Sequence, residues 1–168
     1  KLFPGFFGWT IPCGENVIRI GFGTTKMSEG QSVKKAFFER KEIQELTQNS
    51  KQIRDFWHLI PISVRKQTQK VNAMLCGDAA GQVKATTGGG CVFGGLCAIE
   101  AAEQAIDFIK NGEEIDYEKS WRQKYGRALQ NHAMIQKISA KLPDSMFDLG
   151  FSIARYSKIN KLLESFGD

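Results

Sequence analysis

A chain of 168 residues, 42% of them hydrophobic, can bury one ordinary core and is too long to be a peptide module, so one globular unit is expected from length alone. Its formal net charge of +5 is scattered through helix-like stretches. That pattern argues for a weakly basic solvated surface and against nucleic acid as a partner, while leaving attraction to anionic lipid headgroups open.

The first segment, Phe6 to Pro12, is rich in aromatic and β-branched residues, and Val17 to Gly23 follows with the same character. Two strands joined at Gly14-Glu15-Asn16 are predicted to pair as a hairpin. Val33, Phe37, Ile43 and Leu46 then recur at near-helical spacing, predicting one amphipathic helix over 31–48. Pro61 limits 59–64 to an edge strand or an extended connector. Val71 to Cys76 is short and apolar, the profile of a strand buried on both faces. After a glycine triplet a helix should run to about Lys110, stopped by Asn111-Gly112. Asp116 reads as an N-cap, with Tyr117, Trp121, Tyr125 and Leu129 as a core stripe. Pro143-Asp144 breaks the pattern, and Ile153, Tyr156, Ile159, Leu163 and Phe166 resume a helical face.

Cys13, Cys76, Cys91 and Cys97 form no Cys-x-x-Cys pair and are expected to be reduced, mostly buried thiols of a cytoplasmic chain. In the sequence neither His58 nor His132 stands beside a cysteine or carboxylate at metal spacing, so no structural metal is expected. The apolar helix from Cys91 is interrupted by Glu100 and Glu103 and falls short of a bilayer span, which restricts any membrane contact to a peripheral one.

Residues 77–90 carry the chemistry: Gly77-Asp78-Ala79-Ala80-Gly81, a spacer, then Thr87-Gly88-Gly89-Gly90 before the long helix. Glycine lacks the Cβ that would hold a ligand away from the backbone. The Asp78 carboxylate at a strand end is placed to accept hydrogen bonds from ligand hydroxyls and would repel a phosphate. The Gly88, Gly89 and Gly90 amides, with a helix dipole behind them, suit a carbonyl or a developing anion. A tight turn whose glycines serve only packing is the alternative. No Gly-x-Gly-x-x-Gly follows an early strand, so half of a dinucleotide site would lie outside this polypeptide.

This order of strand, Gly-Asp-Ala-Ala-Gly, Thr-Gly-Gly-Gly and apolar helix resembles the second flavin-binding motif of the FAD-dependent geranylgeranyl reductase family. A second resemblance is Phe7-Gly8-Trp9-Thr10-Ile11-Pro12 followed by Gly21-Phe22-Gly23, which is similar to that family's Tyr-x-Trp-x-Phe-Pro and Gly-x-Gly. Phe7 replaces the tyrosine and Ile11 the phenylalanine, so the apolar character is kept and the phenolic hydroxyl is not. Flavin hydroxylases usually carry His and Pro where this chain has Gly81 and Ala85, which favours the reductase branch.

The resemblance implies an α+β carboxyl-terminal portion of a longer enzyme. Residues 1–70 would belong to the outer part of a lipid-binding substrate-domain sheet, 71–112 would supply the last strand and helix of a Rossmann-like FAD domain, and 113–168 a helical tail. It further implies FAD as cofactor, bound by Gly77, Asp78, Gly81, Gly88, Gly89, Gly90 and Cys91, with Asp78 on a ribityl hydroxyl and the Gly88–Gly90 backbone and the Cys91 amide at the isoalloxazine edge. Phe7, Trp9 and Pro12 would form an apolar wall for an isoprenoid lipid or pigment whose double bonds are reduced, with ferredoxin or NAD(P)H as electron donor. No proton donor is identified. An electron-transfer flavoprotein dehydrogenase would share the Gly-Asp motif, and a non-catalytic lipid-binding or partner-binding domain is the alternative from another class.

Overall fold

A computed structural model describes residues 2–156. They mix helix with a little antiparallel strand, an α+β composition, and fall into two compact units: the described parts of 1–40 and 138–168, and residues 41–137. Length alone suggested one unit, but the first is organised by a cluster of phenylalanines and the second by an indole-centred core, with no residue in common.

In the first unit, β1 (Gly8–Pro12) pairs antiparallel with β2 (Ile18–Phe22), as the alternating pattern predicted. Phe3, Phe22 and Phe37 pack with ring centroids 5.0 to 5.9 Å apart beneath the hairpin. Gly8 faces this cluster, and a Cβ there would come within 2.6 Å of the Phe3 ring. Phe37 and Val33 are the buried face of α1 (Gly30–Phe38).

The expected single helix over 31–48 is two: α1 ends at Phe38 and α2 (Lys41–Thr47) begins three residues later in the other unit. The reason lies in the spacing. Val33 to Phe37 is one turn, but Phe37 to Ile43 is six residues, about 240° further round a helix, so one straight helix cannot bury both. The last turn of α1 tightens instead, with the Arg40 N–H donating to the Phe37 carbonyl at 3.2 Å.

In the second unit, residues 50–68 run without strand pairing, so the proline segment is an extended connector. The buried strand expected over Val71–Cys76 is not formed. A hairpin of two-residue strands stands there, β3 (Gln69–Lys70) and β4 (Ala73–Met74), with Lys70 paired to Ala73. Val71 occupies the turn at φ +50° and is 79% exposed. A β-branched residue pays strain at positive φ, and only the two-residue loop between paired Lys70 and Ala73 requires it.

Helix α3 (Cys91–Asn111) ends where the sequence placed its stop, at Gly112 in the left-handed conformation with its N–H on the Phe108 carbonyl. Beyond it come α4 (Tyr117–Trp121), a five-residue π-helical segment (Arg122–Gly126) and α5 (Arg127–Ser139). The stripe is core: Tyr117, Trp121 and Leu129 are buried with Cys97, Ala101 and Ile115, and Tyr125 packs against them. Four-residue steps drift off one face of an α-helix at 3.6 residues per turn. The wider π-helical winding corrects that drift and keeps Leu129 in line with Tyr117.

Asp116 precedes α4 without capping it; its carboxylate pairs with Lys119 at 3.2 Å and its N–H donates to Gln104 Oε1 at 2.9 Å. Helix α6 (Asp144–Tyr156) follows Pro143, and Ile159, Leu163 and Phe166 of the expected face lie outside the described residues. Among the described residues no helix is long and apolar enough to cross a membrane.

Candidate functional site

The glycine-aspartate turn is a single 3-10 turn, Gly77–Ala80, entered at Gly77 (φ +62°) and left at Gly81 (φ +70°). Both need positive φ, which residues with a Cβ adopt at a cost. Gly81 has a second reason to be glycine: a Cβ there would collide with the Ser63 carbonyl of the connector passing over it. The turn is closed by Gly81 N–H to the Asp78 carbonyl and Gln82 N–H to the Gly77 carbonyl, each 3.0 Å.

Beneath it lies a buried polar network that the sequence did not announce. Gln82 is fully buried; its Oε1 accepts from the Gly77 N–H at 2.9 Å and its Nε2 donates to the Tyr117 hydroxyl at 3.0 Å. The hydroxyl in turn donates to the Leu75 carbonyl at 2.9 Å. Burial pushes this phenol well above its ordinary pKa, so it remains a donor. Arg65 holds the outer side, its N–H on the Ala80 carbonyl at 3.0 Å and its Nε on the Ala79 carbonyl at 2.6 Å.

Arg65 is braced in turn. Arg122 donates to the Arg65 and Lys66 carbonyls, each at 2.9 Å, and pairs with Glu118 at 2.6 Å. Burial pushes the Glu118 carboxyl up, but the Thr68 N–H, Arg122 and the Gln69 N–H outweigh it and leave the group below its ordinary value. The Trp121 indole donates to Thr68 Oγ1 at 2.9 Å, tying the same connector to the core.

The fold brings the two halves of the glycine motif together. A Cβ on Gly90 would stand 2.6 Å from Asp78 Oδ1, and one on Gly94 would stand 3.1 Å from the Gly77 Cα. Asp78 therefore lies against the start of α3, half exposed. The loop between them folds on itself: the Gly88 N–H donates to the Lys84 carbonyl at 2.8 Å and the Lys84 N–H to the Gly89 carbonyl at 2.9 Å. The Gly88 amide is thus used within the loop. Thr86 Oγ1 is 3.0 Å from His132 Nδ1, and burial, reinforced by Lys84, lowers the pKa of that imidazole.

His58 is the second residue that local sequence hid. Twenty positions before Asp78, it is carried by the connector to 3.4 Å between Nε2 and Asp78 Oδ2. Local spacing does not announce this approach, because it depends on the path of an irregular segment. Among the described residues no cluster of three or more His, Cys, Asp or Glu could hold a metal ion. All four cysteines are free, yet only Cys97 is buried; Cys76 is partly covered, and Cys13 and Cys91 are exposed, correcting the expectation of mostly buried thiols.

Phe7 and Trp9 lie on one face of the hairpin, with rings 5.9 Å apart. Trp9 is opposite Gly21, where a Cβ would come within 2.6 Å of the indole, and Phe6 lies over Gly23. The Gly21-Phe22-Gly23 motif is a bed for these rings, the cross-strand arrangement in which an aromatic covers a glycine. Strand alternation puts Pro12, three residues from Trp9, on the opposite face. Ile11 joins Phe7 and Trp9 instead, and all three are exposed.

No family model matches the chain. It is 31% identical over 161 residues to digeranylgeranylglycerophospholipid reductase 1 of Methanococcoides burtonii, covering 88% of this chain and 38% of that protein. The digeranylgeranylglycerophospholipid reductase of Methanocaldococcus jannaschii is 30% identical over 155 residues, covering 88% of this chain and 39% of the relative. The chain belongs to the geranylgeranyl reductase family. An uncharacterised protein of M. jannaschii is 29% identical over 85% of this chain and 37% of its own length. The fold is similar to that of a geranylgeranyl bacteriochlorophyll reductase-like protein of Thermoplasma acidophilum, with a TM-score of 0.76 at 21% identity over 88% of this chain and 39% of that one. The chain thus spans 37% to 39% of the length of these relatives.

Proposed function

We propose that the chain is part of an FAD-dependent reductase that hydrogenates carbon-carbon double bonds of geranylgeranyl chains in a membrane lipid or pigment. The observation that carries this reading is the set of Asp78 against Gly90: a half-exposed carboxylate, fixed by two left-handed glycines, beside backbone with no side chain to fill the space. These residues fit a ligand that brings hydroxyl groups to Asp78 and a flat polar edge to the start of α3.

Asp78 would accept a ribityl hydroxyl, and Gly89, Gly90 and the Cys91 amide would face the flavin edge. The nucleotide half of the cofactor would need contacts from elsewhere, consistent with the span of the relatives. When bound, a reduced flavin would supply a hydride to one alkene carbon, and a proton must reach the other. The protein must then orient an unpolarised alkene and exclude water, since the alkene carries no charge or polar group to steer it. Phe7 and Trp9 are the exposed aromatics proposed as part of the apolar wall, with electrons arriving from ferredoxin or a nicotinamide. Val71–Cys76 would serve as the last strand of a flavin domain only by pairing with sheet that the described residues do not supply. The test uses the native protein that carries this sequence: flavin content after purification, and mass spectrometry of a digeranylgeranyl lipid incubated with it and dithionite. Gain of hydrogen across the prenyl double bonds, lost in Asp78→Ala together with flavin, is the expected result. A protein that neither retains flavin nor alters the lipid would refute the proposal.

A further inference from the structure

Residues 51–60 are all exposed and make no strand or helix, although half of them are large and apolar. Ile53 is 81% exposed, Phe56 74%, Trp57 55% and Leu59 68%. Scattered apolar residues on a surface need no explanation, but a run of them in one exposed segment marks a contact face. This run has a fixed address: His58, in its middle, sits 3.4 Å from Asp78 Oδ2, and downstream Arg65 and Ser63 lie directly against the glycine-aspartate turn. Its charges are Lys51 and Arg54 against Asp55, two cations to one anion.

We propose that Ile53, Phe56, Trp57 and Leu59 are the contact for the prenyl chain at the glycine-aspartate turn, with Lys51 and Arg54 favouring a phosphate-bearing end. This rests on the reading of the protein as a prenyl-chain reductase and adds to it a second apolar surface, in the same compact unit as Asp78, whereas Phe7 and Trp9 belong to the other. A polyprenyl chain suits such a segment. It offers no hydrogen-bonding groups to satisfy, so affinity comes from apolar area alone, and an exposed segment outside helix and strand can present that area to it.

The test is a titration of the 15N-labelled full chain with monomeric geranylgeranyl diphosphate, followed by NMR. The Trp57 indole N–H and the amides of 53–60 should shift saturably. Phe56→Ser combined with Leu59→Ser should weaken the apparent affinity by about tenfold or more, since two apolar side chains that the ligand would cover are lost. Because both residues are exposed in an irregular segment, the rest of the spectrum should not change. Four results would overturn the proposal: shifts confined to the Trp9 indole, equal shifts with inorganic diphosphate, response only to phosphatidylglycerol vesicles, or concentration-dependent shifts without ligand that signal a second copy. If Trp57 titrates but the native protein reduces no prenyl lipid, the reductase reading fails and the contact stands. Reduction without a Trp57 response removes the contact alone.

Discussion

Replacing Tyr117 with phenylalanine removes one oxygen and should loosen the glycine-aspartate turn from below. The hydroxyl accepts from Gln82 Nε2 at 3.0 Å and donates to the Leu75 carbonyl at 2.9 Å, and both Tyr117 and Gln82 are fully buried. The Gln82 amide is left in the interior without its acceptor, whereas Leu75 is partly exposed. An unsatisfied buried polar group costs about 1–3 kcal/mol, so a loss of about 2 kcal/mol is expected. With a urea dependence of about 2 kcal/mol per molar, the midpoint should fall by about 1 M. Emission of the buried Trp121 indole reports unfolding of this unit. Since Gln82 also holds the Gly77 N–H, that amide should exchange with solvent faster in the variant. Tyr117→Phe with Gln82→Leu should recover part of the loss, because removing both partners of a buried bond costs less than orphaning one. A single variant within about 0.5 kcal/mol of the parent would refute the argument.

Gly81→Ala and Gly112→Ala share a nearly identical φ, +70° and +71°, but only Gly81 has the Ser63 carbonyl where a Cβ would go. Gly112→Ala should cost about 1–2 kcal/mol for the left-handed residue and Gly81→Ala clearly more; equal losses in urea titrations would remove the case for a close approach at Gly81. Acid should unfold the 41–137 unit early. The Glu100 carboxyl is held below its ordinary 4.5 by Lys124 and then Ser120, and Glu118 is also lowered. Their stabilisation is complete above about pH 4.5 and is lost as pH falls through the depressed folded values. Glu100→Gln and Glu118→Gln should flatten the dependence of the unfolding midpoint on pH below that point, and an unchanged acid slope would count against both. Finally, burial, with Cys76 and Glu100 nearby, pushes the Cys97 thiol up to about 12. At pH 8 a thiol reagent should modify exposed Cys13 and Cys91 quickly and Cys97 only on unfolding, as peptide mapping would show; fast native labelling of Cys97 would contradict its burial.

Where the sequence read well, the signal was local. Alternation over Phe6 to Gly23 was enough for the hairpin, Asn111-Gly112 for the end of α3, and the four-residue steps from Tyr117 for the core stripe. Glycine and aspartate at 77, 78 and 81 announced a backbone turn because few residues tolerate its dihedrals. Parity could also have placed Pro12 opposite Trp9, and the six-residue step between Phe37 and Ile43 could have announced the break after α1. In both cases the information lies in the spacing.

Other features depended on residues far apart in the chain. Gln82 meets Tyr117 across 35 positions, Trp121 meets Thr68 across 53, and His58 reaches Asp78 across 20. Each contact joins irregular backbone or a buried amide to an element whose position is fixed by packing, so no periodicity encodes it. Val71 shows the same limit from the other side: its apolar neighbourhood favours a strand, and the pairing of Lys70 with Ala73 turns it outward. The sequence by itself determined the turn chemistry, the helix stops and the family motif, because these reside in the allowed dihedrals and spacing of adjacent residues. The tertiary structure decided what supports the turn, which side chains share its space and which apolar surface stands beside it, because those follow from how distant segments exclude water together.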